Sequence, residues 1–287
     1  MTLEQARGVT AGLKDMYGPG PDMVKAELRE VDLGGREISI HFLVPNDDPG
    51  GLIVYYHGGG WTIGTIAEFE TLGRQLAERT GCVVALVDYR LAPEAPYPAP
   101  VDDAWDALVW ISENLEDIAG RRLPLIVAGD SAGGTLAAVV SQRARGGGPD
   151  ISLQVLVYPV TDCDFETASY LAPENQLMLS RDTMLWFWNH YAPDSVRTDP
   201  EASPARARDL SALPPAILVT GEHDVLLDEG LAYGAALKNA NVPVSHRHFA
   251  GQMHGFFTMV NLLPGSAEAI DFVSSEVVRH LSSTGQV

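Results

Sequence analysis

From Gly51 onward, the chain alternates short, almost unbroken apolar runs with stretches long enough to form a helix. The runs are Leu52–Tyr56, Cys82–Val87, Leu123–Ala128, Leu153–Tyr158, Ala216–Thr220 and Val244–Phe249. A strand with one wet face would alternate apolar with polar side chains, whereas a continuous apolar run is buried on both faces. Helix-length connections are what parallel neighbours require. The pattern predicts an α/β fold: a mostly parallel, twisted sheet with helices on both faces. Upstream, Ala26–Leu33 and Arg36–Val44 flank Gly34-Gly35, a hairpin signal, and are expected to pair antiparallel. Ahead of them Leu3, Ala6, Val9, Leu13 and Met16 recur at helical spacing until Gly18-Pro19-Gly20-Pro21 stops the pattern.

One interval breaks the rhythm. The segment between Tyr158 and Ala216 is too long for a strand-to-helix connection and holds Leu177–Leu179 and the aromatic run Leu185–Tyr191. A helical insertion over 163–204 is the economical account, a cap to which residues 1–24 also contribute. The catalytic body is then 25–162 together with 205–287. Ligands of open parallel sheets sit at the carboxyl ends of the strands, so a cap there would wall a pocket.

With 46% hydrophobic residues in 287, the chain can bury a full core. Lys and Arg number 19 against 38 Asp and Glu, and the net charge of -19 opposes binding to nucleic acid or an anionic membrane. No apolar run approaches membrane-spanning length, and Met1–Arg7 carries charge where a signal peptide needs an apolar centre. A soluble, cytoplasmic protein is the expectation. Cys82 and Cys163 make neither a disulfide framework nor metal-ligand spacing, so no metal or other cofactor is expected.

The chemistry centres on Leu125–Ala138. An apolar run ends at Gly129, a helix-compatible run of small residues begins after Ser131, and a serine stands on the corner between them. Such an elbow exposes the hydroxyl, and glycines two positions either side, here Gly129 and Gly133, let strand and helix pass closely. A serine hydroxyl is a poor nucleophile until a base takes its proton, and the base needs a carboxylate to fix its tautomer. Asp224 and His254 follow in that order, each just beyond a later strand. Of the other histidines, His246 and His248 lie within the last strand beside Arg247, His223 adjoins the acid, and His280 belongs to a polar terminal helix. Asp228 and Glu229 fall in the first turn of the helix after the acid, where carboxylates are favoured regardless of chemistry.

A tetrahedral intermediate also needs donors for its oxyanion. His57-Gly58-Gly59-Gly60-Trp61 follows the strand Leu52–Tyr56, and successive glycines let main-chain amides turn inward. A phosphate-binding loop is the rival reading, but the segment has neither a G-x-G-x-x-G pattern nor a P-loop lysine.

His57–Gly60, Asp88–Glu94, Gly129–Gly134, Tyr158–Asp162 and His254–Phe256, in that order, resemble the motifs of the hormone-sensitive-lipase-like esterases of the α/β-hydrolase superfamily. The likeness runs from about residue 40 to the C-terminus. It implies a carboxylic ester hydrolase acting on short-chain acyl esters, with Ser131 as nucleophile, Asp224 as acid and His254 as base. It implies an oxyanion hole from the amides of Gly59, Gly60 and Ala132, with Gly58 shaping the loop, His57 bracing it, and Arg90 and Glu94 as scaffold. Trp61, Asp130, Met178, Leu179, Leu185 and Trp186 are the expected pocket walls. The same site could serve a lactone, amide or carbamate, and some relatives of this fold are ligand-binding receptors without a working base. Such enzymes also form homodimers through the last strand, here Val244–Phe249, although its charges read equally well as edge protection. Two departures stand out. The segment before the glycine loop is short, which implies a reduced cap, and Val225 follows Asp224 where the family commonly has proline.

Overall fold

All eight expected strands form, and the computed structural model joins them in one sheet. It describes residues 2–12 and 14–283; Leu13 and the side chain of Val9, both expected on the N-terminal helix face, lie outside the described residues. The strands are β1 (Lys25–Asp32), β2 (Glu37–Val44), β3 (Leu52–Tyr56), β4 (Val83–Val87), β5 (Leu125–Asp130), β6 (Ile151–Val157), β7 (Ala216–His223) and β8 (Val244–Met253). Their order is β1-β2-β4-β3-β5-β6-β7-β8. Only the β1–β2 and β2–β4 pairings are antiparallel. The β1–β2 hairpin turns through Gly34 (φ 77°) and Gly35 (φ 97°), the left-handed pair that a two-residue hairpin needs.

The helices are α1 (Leu3–Ala11), α2 (Lys14–Tyr17), α3 (Ile66–Thr80), α4 (Ala99–Glu113), α5 (Leu115–Ala119), α6 (Ala132–Ala144), α7 (Ala168–Leu171), α8 (Arg181–Tyr191), α9 (Leu227–Asn239) and α10 (Pro264–Ser283). Alternate residues of the strands feed two cores, as the period of a pleated strand requires. Leu52, Val54 and Tyr56 pack with Leu108, Leu136 and Tyr233 from α4, α6 and α9. Ile53 and Tyr55 pack with Leu72, Leu76 and Val273 from α3 and α10. Every residue of β3, β4 and β5 is buried, which is why their sequences read as unbroken apolar runs.

Two expectations need adjusting. The single N-terminal helix is two, α1 ending just before Gly12, and the buried position in α2 belongs to Tyr17 while Met16 is exposed. Strands β7 and β8 outrun their apolar segments and remain paired at His223↔Met253, beyond the core, where burial no longer dictates apolar residues. The long interval after β6 holds α7, α8 and short 3₁₀ turns, with no strand among the described residues, and no described helix is long and apolar enough to cross a membrane.

Candidate active site

Strand β5 stops in the middle of the sheet, and Ser131 makes the turn into α6 with φ 54° and ψ −119°. A non-glycine residue in such a region costs about 1–3 kcal/mol and persists only where its surroundings impose it. Here they do. The Ser131 amide donates to Val157 at 2.9 Å, and its carbonyl accepts from Thr135 and Val160, both at 3.2 Å. A Cβ on Gly133 would run into the Tyr56 carbonyl, and one on Gly129 into the Gly133 backbone, so both positions admit hydrogen alone.

His254 arrives from the loop after β8 and Asp224 from the loop after β7. The His254 Nε2 lies 3.0 Å from Ser131 Oγ, and its Nδ1 lies 2.7 Å from Asp224 Oδ2. All three are buried, Asp224 most deeply at 1% exposure. The second carboxylate oxygen, Oδ1, accepts the Leu226 amide at 2.9 Å, so the acid cannot swing away from the imidazole without losing a buried bond. Tyr158 lays its ring against the imidazole with centroids 4.5 Å apart. The other histidines serve elsewhere. His246 Nε2 and His248 Nδ1 both bond Thr220 Oγ1, at 2.9 and 3.1 Å.

The glycine loop approaches from the other side. Asp130 Oδ1 accepts from the Gly58 amide at 2.9 Å and from the Tyr55 hydroxyl at 2.8 Å, which ties the loop to the elbow. Gly58 is thereby spent as a donor and shapes the loop. Among the described residues the amides of Gly59 and Gly60 find no acceptor, and Ala132 opens α6, where amides lack intrahelical partners. Burial pushes the Asp130 carboxyl up to about 6, a rise partly offset by the Tyr55 and Gly58 bonds. Burial also holds His57 down to about 4, hence neutral; its Nδ1 lies 2.7 Å from the Gly58 carbonyl and its ring stacks on Tyr89 at 4.4 Å. Arg90 and Glu94 stay outside: Arg90 grips buried Asp103, and Glu94 pairs with Arg7 at 2.8 Å.

A cavity of about 480 Å³ opens onto Ser131 and His254. Asp130, Met178, Leu179 and Trp186 line it. Trp61 and Leu185 do not reach it. Trp61 is fully buried and stacked on Tyr191, and Leu185 lies off the inward stripe of α8, which is Met184, Phe187, Trp188 and Tyr191. That stripe follows the i, i+3, i+4, i+7 spacing of a helix face, a signal present in the sequence. Phe187 does line the cavity and goes unnoticed without that spacing, as do Phe69 and, from the N-terminal segment, Ala6 and Tyr17. A further contact has no motif behind it: buried Asn175, in the insertion, donates to the Asp224 carbonyl at 3.3 Å.

A sequence model of the α/β hydrolase fold matches residues 53–258. Carboxylesterase NlhH of Mycobacterium tuberculosis is 40% identical over 224 residues, 76% of this chain and 70% of that protein. The chain belongs to the hormone-sensitive-lipase-like carboxylesterases of the α/β-hydrolase superfamily. The ethyl acetate hydrolase of Pseudomonas putida is 32% identical to this esterase over 286 residues, covering 97% of this chain and 88% of that one. Among solved structures, an ester hydrolase from the metagenome of Lake Arreo superposes with a TM-score of 0.93 at 35% identity. That match covers 98% of this esterase and 91% of the other chain, which was complexed with a bipyridine phosphonate derivative.

Proposed function

We propose that this esterase cleaves short-chain carboxylic esters through an acyl-enzyme on Ser131. What supports this above all is the unbroken line of contacts from Ser131 Oγ to His254 Nε2 (3.0 Å) and from His254 Nδ1 to Asp224 Oδ2 (2.7 Å). Ser131 Oγ bonds to the ester carbonyl carbon as its proton passes to His254 Nε2, and the carbonyl π pair moves onto oxygen. Asp224 holds Nδ1–H and stabilises the imidazolium. The amides of Gly59, Gly60 and Ala132 receive the oxyanion. Collapse expels the alkoxide, which takes the proton from His254; water then repeats the sequence on the acyl-enzyme and returns Ser131.

The cavity bounds the substrate. Its volume of about 480 Å³ falls in the lower part of the range for small-molecule sites, and Ile63, Phe69, Leu179, Trp186 and Phe187 give it apolar walls. We read 163–204 as the cap that supplies the last three. A burst assay over p-nitrophenyl esters of graded acyl length tests mechanism and depth together. The expectation is a burst equal to the enzyme concentration and kcat/KM falling beyond short chains; a linear onset with flat chain-length dependence would overturn the reading. Matched lactones and amides separate the acyl classes. Strand β8, one of the two edges of the sheet, is the surface through which two copies would pair, and sedimentation velocity of the chain over a concentration series reads that out.

A further inference from the structure

Helix α8 does more than wall the cavity. Its buried face grips two consecutive residues of the glycine loop, Gly60 (φ 58°) and Trp61 (φ 57°), both left-handed. The Phe187 ring occupies the place a Cβ on residue 60 would need. Trp61 lies flat on Tyr191, ring centroids 4.0 Å apart and planes 9° from parallel, while Trp188 meets it edge-on at 5.0 Å and 62°. Main-chain bonds fix both members of the stack to one short segment: the Ala92 amide donates to the Trp61 carbonyl, and the Tyr97 amide to the Tyr191 carbonyl, each at 2.8 Å.

A bulky residue in left-handed backbone relaxes unless its side chain is held. Here one helix of the insertion holds it. Relaxation at Trp61 would turn the Gly60–Trp61 peptide and, through the freely adjustable Gly60 torsions, the Gly59–Gly60 peptide that carries the Gly60 amide, whereas the cavity walls would be little altered, because Tyr191 is fully buried and does not line the cavity. We propose that Tyr191, seconded by Phe187, is a positioning residue for the oxyanion hole, acting through Trp61. This rests on the reading that Gly60 is an oxyanion donor. The insertion is then a buttress of the chemical machinery as well as its cover.

The test pairs two ketones on the full chain. With 1,1,1-trifluoroheptan-2-one, Ser131 Oγ bonds to the carbonyl carbon, its proton passes to His254, and the π pair becomes an oxyanion that needs the hole. Heptan-2-one binds without that addition. The wild type is expected to bind the fluorinated ketone at least about 100-fold more tightly. In Tyr191→Leu, that ratio and kcat on p-nitrophenyl butyrate should fall together by about 30-fold, short of the loss from deleting a donor outright, with KM and heptan-2-one affinity within about threefold. Tyr191→Phe keeps the ring and removes a hydroxyl without a partner among the described residues, so it should recover both to within about threefold of wild type. Should Tyr191→Leu not fold, Tyr191→Met keeps the bulk without the flat face and is read the same way. Equal weakening of both ketones, an unchanged kcat, or a Phe variant as impaired as Leu overturns the positioning role. A wild type that binds both ketones alike sinks the oxyanion assignment itself, and the proposal with it.

Discussion

Ser131 and His254 meet across 3.0 Å, yet they are held in opposite ways. The serine sits at the end of β5, a wholly buried strand with paired neighbours on both sides, and its strained backbone is clamped by main-chain bonds and by glycines that admit no side chain. The histidine follows β8, an edge strand most of whose residues are partly or fully exposed. Its position depends on side chains: Asp224, the Tyr158 ring, and the Met178 methyl packed on Gly255. The contrast teaches that the fold supplies the geometry of Ser131 directly, whereas His254 is placed by side-chain contacts that a substitution can loosen.

The strongest way to break this contrast is to delete each partner. Ser131→Ala and His254→Ala should each lower kcat by on the order of 10⁴ to 10⁶ fold, the double variant no further, with native circular dichroism; near-normal turnover in either would remove the triad reading. Next comes Gly133→Ala, where the new Cβ meets the Tyr56 main chain, which has little freedom to give. A loss of about 4 kcal/mol or more in urea unfolding is expected, and a loss below about 1 kcal/mol would show that the interior yields after all.

Asp130 sharpens the comparison through pH. Its carboxyl rises from 3.8 to about 6 because the folded chain buries it, so the native state holds a proton that the unfolded chain has released. That contribution is complete below about pH 3.8 and is lost as pH climbs through about 6, roughly 3 kcal/mol for this shift. Asp130→Asn lacks the slope, so its stability relative to wild type should improve by about that amount between pH 4 and 7 in paired urea titrations. His57, held down to about 4, acts with the opposite sign between 6.5 and 4 but is common to both proteins and cancels. An unchanged difference between the two would mean that Asp130 is solvated. The smallest effect belongs to the edge. Arg247 lies over buried Phe249 at 4.6 Å and pairs with Glu268 at 3.5 Å, both charged groups being exposed. Arg247→Ala should shift stability by no more than about 1 kcal/mol and leave kcat alone.

The same contrast explains what the sequence made legible. Burial on both faces writes itself as unbroken apolar runs, and tight backbone passage writes itself as glycine, so the strands, the elbow and the glycine loop could be read in one dimension. Asp224 and His254 stand out in the sequence by their order and by their place beyond strand ends. The cavity walls were not so marked, because an aromatic residue looks alike whether it faces a ligand or a neighbour. Thus Trp61, an aromatic beside the glycine loop, reads as a pocket wall but packs against α8, while Phe187, one residue from Trp186, lines the cavity without a residue-type mark to distinguish it from its buried neighbours. Asn175 and Tyr17 reach the site through tertiary packing alone, which no local pattern encodes.

Suspending His254, the proposed base, from an edge strand has a consequence for how the molecule fails. Rim strands fray at lower free energy than strands with partners on both sides. As urea or heat is raised, turnover should therefore vanish while most of the ellipticity survives. Reactivity reports the integrity of the rim, and spectroscopy reports that of the middle.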